Sequence, residues 1–147
     1  MKGSYLLVIR LDGDRKIKTK AREFPLKKGY YVYVGSAMNS LEKRVRRHFS
    51  KEKRPHWHID YLLMEAELLR AYLIPSGERL EEKLSLEVAK HGEPVGGFGA
   101  GDVKVSANLY RFEGEPDGVL VGILGELGLG WKSVKSEEEI REFGERK

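Results

Sequence analysis

A tyrosine, a glycine and an arginine in the first third of the chain have types and spacing that suit phosphate chemistry. Tyr33 lies in a run of aromatic and β-branched residues that predicts a strand, Gly35 follows it, and Arg44 lies in the next predicted helix. A strand glycine lets another group approach the backbone closely, and a guanidinium can hold a phosphate through two parallel hydrogen bonds. The hydroxyl and the guanidinium could therefore meet over the end of a sheet. The alternative is a packed tyrosine and a solvated arginine.

Two other groups of residues allow more than one interpretation. His56, His58 and Asp60 have the alternate spacing of metal ligands on a strand, but we favour a buried, hydrogen-bonded histidine that supports a site or touches a phosphate. The glycine-rich segment 94–102 lacks the strand–loop–helix context of a dinucleotide site. Within it Phe98 could stack on a base, although a tight turn with Phe98 in the core is the favoured interpretation.

Charge is distributed unevenly along the chain. The net charge is +4, yet residues 1–60 hold 16 Lys and Arg against 6 Asp and Glu, and residues 61–147 hold 11 against 17. A basic half indicates a polyanionic partner, and nucleic acid is the commonest one. A solvated surface whose charges balance across the fold is the alternative. The polar faces of the helix near residue 45 carry Lys43, Arg44, Arg46, Arg47 and His48.

Composition excludes several classes of protein. The length of 147 residues and the 40% of hydrophobic residues fit a single domain, residues 1–147, with one core. The absence of cysteine excludes disulfides and thiolate metal sites. No apolar run could span a bilayer and the N-terminus lacks a signal-peptide pattern, so we expect a cytoplasmic protein with no membrane partner. The absence of glutamine beside abundant Glu, Lys and Arg is typical of a thermophile.

The elements that must position these residues predict an α+β fold with a small, mainly antiparallel sheet flanked by helices. Asn39 is expected to cap the first helix, with Glu42 completing a capping box, and Gly92 is expected to cap a later one. Ser136 and Glu139 predict the start of a terminal helix. The predicted strands are 5–11, 16–20, 30–34, 68–74 and 107–112, where 16–20 returns as a hairpin along 5–11 and Gly35 ends 30–34. The predicted helices run from Asn39 to Phe49 and over 56–61, 78–91, 120–127 and 136–143.

The segment Tyr33-Val34-Gly35-Ser36-Ala37, followed by Arg44 and His48, resembles the second half of the signature of GIY-YIG nucleases. That signature has a tyrosine–hydrophobic–glycine strand end, then a helix with a catalytic arginine and a nearby histidine. Gly3-Ser4-Tyr5 would correspond to its first half. Ser4 replaces a hydrophobic residue there, and the stretch between the two halves is longer than in most members. The resemblance implies catalytic roles for Tyr5, Tyr33, Arg44 and His48.

The same family uses a glutamate on a later helix, three residues before an apolar position, to hold a divalent metal ion. Glu81 followed by Leu84 fits this pattern in the helix predicted over 78–91. Glu82 and Glu87 are the competing candidates. The resemblance implies that Glu81 is a catalytic residue that binds one Mg²⁺ or Mn²⁺ ion.

Two further blocks, HWHIDYLL at 56–63 and GFGAGD at 97–102, look like an uncharacterised archaeal and bacterial branch of GIY-YIG-like domains. Members of that branch are sometimes fused to DNA-repair glycosylases. The branch usually has a cysteine where Val103 stands and often a histidine in the region of Asn108. The resemblance covers about residues 3–112, and residues 113–147 form a C-terminal extension to which it assigns no role.

The activity implied by the resemblance is metal-dependent endonucleolytic hydrolysis in DNA repair or processing. DNA is the expected partner in preference to RNA, together with a DNA-repair enzyme. Tyr5 or Tyr33 would orient or deprotonate the attacking water, with Arg44 or another cation making the tyrosine proton easier to lose. The competing interpretations are a non-catalytic nucleic-acid-binding module on a decayed nuclease fold and a domain that docks on a repair enzyme. The residues expected to contact nucleic acid are Gly35, Ser36, Lys43, Arg46, Arg47, Lys51, Lys53, Arg54 and His58.

Overall fold

A computed structural model of the protein describes residues 1–98 and 108–145. Within them the fold is α+β, with a mainly antiparallel sheet and helices on both of its faces, which confirms the predicted class. The strands are β1 (Gly3–Leu11), β2 (Arg15–Lys18), β3 (Glu23–Leu26), β4 (Gly29–Ala37), β5 (Glu67–Pro75), β6 (Glu93–Pro94), β7 (Leu109–Phe112) and β8 (Lys132–Val134). The helices are α1 (Leu41–Phe49), α2 (His58–Leu63), α3 (Glu81–Val88), α4 (Asp117–Glu126) and α5 (Glu137–Glu145).

The main sheet has the strand order β6-β7-β4-β1-β5-β8, so β1 is central. Its partners β4 and β5 run antiparallel to it, and the register sets Tyr5 opposite Gly35 and Leu7 opposite Tyr33. Because side chains alternate along a strand, Tyr5 and Leu7 enter one core while Leu6 enters the other. Burial on both faces explains why β1 is an almost continuous apolar run.

The two cores lie on opposite faces of this sheet and collect different elements. The first face is covered by α1, α2, α5 and the β2–β3 pair, and the second face is covered by α3 and α4. The C-terminal extension packs on both: Leu124 of α4 is buried on the second face and Ile140 of α5 on the first. The start of α5 is as predicted, since the Ser136 hydroxyl accepts a hydrogen bond from the Glu139 N–H at 3.2 Å.

Several predicted boundaries and pairings were wrong. β4 continues through Gly35 to Ala37, because both residues keep their partners on β1. The second strand pairs with β3 in a separate two-stranded sheet and does not return along β1. Ser40 caps α1 in place of Asn39 and accepts from the Lys43 N–H at 3.2 Å. α3 ends at Val88, so Gly92 lies beyond its cap.

In the described part of the chain, none of the helices has both the length and the apolar composition that crossing a membrane requires. Part of the predicted strand 107–112, and the glycine-rich segment beyond Phe98, lie outside the described residues.

Candidate active site

Tyr5 and His48 form a buried pair on the first face of the sheet. The Tyr5 hydroxyl lies 2.8 Å from Nε2 of His48, and each residue is only 2% exposed. The phenol passes over Gly35, where any Cβ would collide with the ring. The predicted close approach at Gly35 is therefore confirmed, and the approaching group is Tyr5.

His48 was expected on a polar face of α1, and its burial corrects that expectation. Leu41, Val45 and His48 are separated by four and then three residues, so all three lie on the side of the helix that faces the sheet. Burial lowers the pKa of His48 to about 3, so its imidazole is neutral near pH 7. Its Nδ1 is buried, with no hydrogen-bond partner among the described residues.

Arg44 extends from α1 toward the end of β4. Its guanidinium donates to the carbonyl oxygen of Ser36 at 3.2 Å and lies over the ring of Trp57, with Cζ 4.5 Å from the ring centroid. The positive charge is close enough to Tyr5 to favour the ionised phenol. Arg44 is therefore held on the first face beside the Tyr5–His48 pair.

Glu81 reaches the same end of β4 from the second face. It is the first residue of α3, and its two carboxylate oxygens accept hydrogen bonds from the Ser36 hydroxyl at 2.9 Å and from Nδ2 of Asn108 at 3.0 Å. Asn108 is buried and in turn accepts from the Ser85 hydroxyl at 3.4 Å. Ser36 thus binds Arg44 through its carbonyl and Glu81 through its hydroxyl.

Tyr33 completes an aromatic cluster around the pair. Its ring centroid lies 6.4 Å from that of Tyr5 and 6.3 Å from those of His48 and Phe98. Phe98 is fully buried, which confirms the core interpretation of this residue. His58 packs between Phe98, at 5.6 Å, and Phe24, at 5.2 Å.

Both tyrosine hydroxyls have pKa values raised above the usual range, which makes them poor general bases. Burial raises the pKa of Tyr5 far above its usual range, and the opposing effect of Arg44 is smaller. Burial raises the pKa of Tyr33 as well, and the negative charge of Glu81 adds to the increase. Arg44 thus lowers the pKa of Tyr5 as expected, but desolvation outweighs the cation, so the pKa of the phenol stays above its usual range.

Asp60 is fully buried and serves as an anchor for the segment before α2. Its carboxylate accepts two hydrogen bonds from Arg47, at 2.7 and 2.9 Å, and two more from the N–H groups of His56 and Trp57, at 2.8 and 2.9 Å. Burial alone would raise the pKa of Asp60, but these donors hold it below its usual range. Asp60 is thus an ion-pair partner, which speaks against the less favoured interpretation of a metal site with His56 and His58. The favoured interpretation, a buried histidine, is wrong, because His56 is exposed and His58 is half-buried. No cluster of three His, Cys, Asp or Glu suited to a metal ion occurs in the described residues.

The expected nucleic-acid contacts divide into engaged and exposed side chains. Arg47 is bound to Asp60, and the Lys53 ammonium donates to three carbonyls at the end of α1 at 2.8–3.0 Å. Gly35 is buried beneath Tyr5, and Ser36 joins Arg44 to Glu81. Lys43, Arg46, Lys51 and Arg54 are exposed. A cleft of about 390 Å³ beside α1 is lined by Lys43, Arg46, Arg47, Ser50, Glu52, Lys53 and Glu137.

Two site residues were not identified from the sequence as parts of the site. Trp57 lies between His56 and His58 in the aromatic block 56–61, and this position could have marked it as a candidate site residue. Asn108 gives no local signal, because its partner Glu81 lies 27 residues away in the chain.

Comparison with known proteins identifies the family. The model of the family described as "Domain of unknown function DUF123" matches residues 4–122, a segment that contains Tyr5, Arg44, Glu81 and Asn108. No curated protein and no solved structure matches the chain. Since the match covers most of its length, the chain belongs to the DUF123 family.

Proposed function

We propose that the protein is a metal-dependent endonuclease that hydrolyses nucleic-acid phosphodiester bonds, related to the GIY-YIG nucleases. The observation that carries this proposal is the meeting at Ser36 of a guanidinium from α1 and a carboxylate from α3, beside the buried Tyr5. A cation for the phosphate, an oxygen ligand for a metal and a hydroxyl for a water are the groups that phosphodiester hydrolysis needs.

Glu81 has the donor chemistry of a Mg²⁺ or Mn²⁺ ligand. Each of its oxygens accepts one hydrogen bond from a neutral donor, Ser36 or Asn108, and each keeps a lone pair. A single carboxylate suits a hard cation that retains most of its water. When bound, such an ion stabilises the charge on the leaving oxygen.

Arg44, Tyr5 and the exposed cations would each make a different contact with the substrate or the attacking water. Arg44 would bind the scissile phosphate and neutralise the charge that grows on it. Tyr5, with its phenol protonated, would orient the attacking water, and the hydrogen bond between its hydroxyl and Nε2 of the neutral His48 would hold the phenol in place. The exposed cations of α1 and of the following loop would hold the backbone of DNA, in preference to RNA, without reading its sequence. This activity belongs to DNA repair or processing in the cytoplasm, with a DNA-repair enzyme as a further partner.

The test is cleavage of linear and branched DNA in Mg²⁺ or Mn²⁺. Arg44→Ala should lower the rate by about 10²–10³, the effect of removing one electrostatic stabiliser, whereas Lys132→Ala, at an exposed position of the edge strand β8, should keep most of it. Mn²⁺ should raise the melting temperature of the wild type and of Glu82→Gln but not of Glu81→Gln. Absence of cleavage by purified wild type, or equal rates for wild type and Arg44→Ala, would contradict the proposal.

The competing function is a nucleic-acid-binding module without catalysis. The raised pKa values of Tyr5 and Tyr33 favour it, since neither phenol is prepared to act as a base. It predicts salt-dependent DNA binding with no cleavage and no stabilisation by Mn²⁺ that depends on Glu81.

A further inference from the structure

Trp57 is the surface on which two guanidiniums rest. Cζ of Arg44 lies 4.5 Å and Cζ of Arg47 lies 4.6 Å from the centroid of the indole ring. The two arginines are three residues apart on α1 and therefore neighbours on the helix surface. The electron-rich face of an indole attracts such cations more strongly than the face of a tyrosine or phenylalanine ring.

The segment that carries the indole is held independently of Arg44. The backbone N–H of Trp57 donates to the buried carboxylate of Asp60 at 2.9 Å, and Arg47 binds the same carboxylate with two hydrogen bonds. Arg47 and Trp57 are thus both tied to one buried anchor. Arg44 is not tied to that carboxylate: in the described part of the chain its guanidinium donates to the carbonyl of Ser36, at 3.2 Å, and lies close to the Tyr5 hydroxyl.

We propose that Trp57 is a positioning residue that holds the guanidinium of Arg44 beside Tyr5 and Ser36. This inference rests on the proposed function, because it assigns Arg44 to the scissile phosphate. An arginine side chain has many rotamers, and ordering it costs free energy that a preformed contact offsets. The stack on Trp57 orders Arg44 before substrate binds, so that binding energy is not used to position it.

The geometry is tested first, without any activity measurement. Trp57 and Trp131 are the two tryptophans of the chain, so Trp131→Phe leaves Trp57 as the only indole fluorophore. In that background Arg44→Ala should change the emission of Trp57 and raise its quenching by acrylamide, because one guanidinium no longer covers the ring. Arg46→Ala, at an exposed position of the same helix, is the control and should change neither. Identical emission and quenching in the Arg44→Ala protein would overturn the proposal.

A double-mutant cycle then tests the consequence for function. Trp57→Leu should lower kcat by about 10- to 100-fold, the cost of a misplaced catalytic group, and Trp57→Phe should recover activity to within about threefold, since a phenyl face also binds cations. In the Arg44→Ala background, Trp57→Leu should cause no further loss. A loss of equal size in both backgrounds would overturn the proposal, because Trp57 would then act by another route.

The affinity of the same four proteins for a short DNA duplex is measured as well. This separates failure of the endonuclease proposal from failure of the proposal that Trp57 positions Arg44. If the wild type binds DNA but does not cleave it, the endonuclease proposal fails. In that case, non-additive losses of affinity for Arg44→Ala and Trp57→Leu still support positioning by Trp57, and additive losses reject it. If the wild type neither binds nor cleaves, the fluorescence result alone decides whether Trp57 holds Arg44.

Discussion

The absence of a side chain at Gly35 makes room for the ring of Tyr5 in the candidate site. The phenol of Tyr5 occupies the space where a Cβ at Gly35 would lie, and this places the Tyr5 hydroxyl within 2.8 Å of His48. The backbone angles of Gly35 are not of the left-handed kind, so the glycine is required for space and not for conformation. A substitution there therefore tests packing alone.

We expect Gly35→Ala to lower the free energy of unfolding by about 1–3 kcal/mol, the usual cost of overpacking a core. The control is Gly77→Ala, because a Cβ at Gly77 meets no atom within 4 Å and its backbone is not left-handed. Denaturant unfolding measures both. Equal stability of the two variants would mean that Tyr5 moves aside at no cost.

His48 couples the stability of the protein to pH. Burial lowers its pKa in the folded state to about 3, whereas the unfolded chain titrates near 6.5. Below the unfolded value the unfolded state binds the extra proton, so stability falls as the pH falls toward the folded value. We expect His48 to contribute a slope of about 1.4 kcal/mol per pH unit between about pH 4 and pH 6.

His48→Gln should remove that slope while keeping a hydrogen-bonding side chain beside Tyr5, and the exposed His91→Gln should retain it. The measurement is the unfolding free energy at several pH values. A slope unchanged by His48→Gln would place the proton uptake elsewhere in the molecule.

At the scale of elements, the segment that leads into α2 is held by the buried carboxylate of Asp60, which pairs with the half-buried Arg47. Asp60 satisfies Arg47 and two backbone N–H groups, and this sets the position of Trp57. Breaking a buried pair by removing one partner leaves the other charge uncompensated. The integrity of the site thus depends on a residue that makes no direct contact with Tyr5 or Glu81 among the described hydrogen bonds.

Asp60→Asn should cost about 3–5 kcal/mol of unfolding free energy, whereas Asp12→Asn, in an exposed pair with Arg15, should cost less than about 1 kcal/mol. The pKa of Asp60 is held below its usual range, so its contribution is present above the unfolded pKa and is lost as the pH falls through the folded one. Wild type should therefore lose stability relative to Asp60→Asn below about pH 4. Chemical unfolding at pH 7 and pH 3 measures both effects, and equal costs at the two pH values would contradict them.

Helices and strands can be predicted from local sequence pattern, whereas the site depends on contacts between segments that are distant in the chain. The apolar runs of β1, β4 and β5 and the stripe of α1 are visible in the sequence, because each depends on neighbours within a few residues. The bridge from Ser36 to Glu81 joins residues 45 apart. The pairing of β2 with β3, and the role of Asp60, likewise depend on where the chain returns. Arg44 was a candidate from its own segment, whereas Tyr5 and Glu81 were named only because a family resemblance supplied this long-range information.

At the scale of the whole molecule, the cleft beside α1 joins the two differently charged parts of the sequence. The basic residues 1–60 supply one side of the cleft, and the acidic residues 61–147 supply part of the other. Lys43 and Arg46 project from α1, and Glu137 at the start of α5 lines the same cleft. An anion held there would meet attraction from the helix and repulsion from the C-terminal extension. The extension, most of which follows the segment matched by the family, therefore weakens the field of α1.

This arrangement predicts opposite effects for two charge-neutralising variants. Lys43→Ala should weaken DNA binding and reduce the slope of log affinity against log salt by about 0.9, because one phosphate contact and its released counterion are lost. Glu137→Gln should strengthen binding, since it removes repulsion without removing a contact. Lys132→Ala, exposed on the edge strand β8, is the control and should leave the slope unchanged. Equal losses for Lys43 and Lys132 would mean that DNA responds to net charge alone, and the cleft beside α1 would no longer be a path for its backbone.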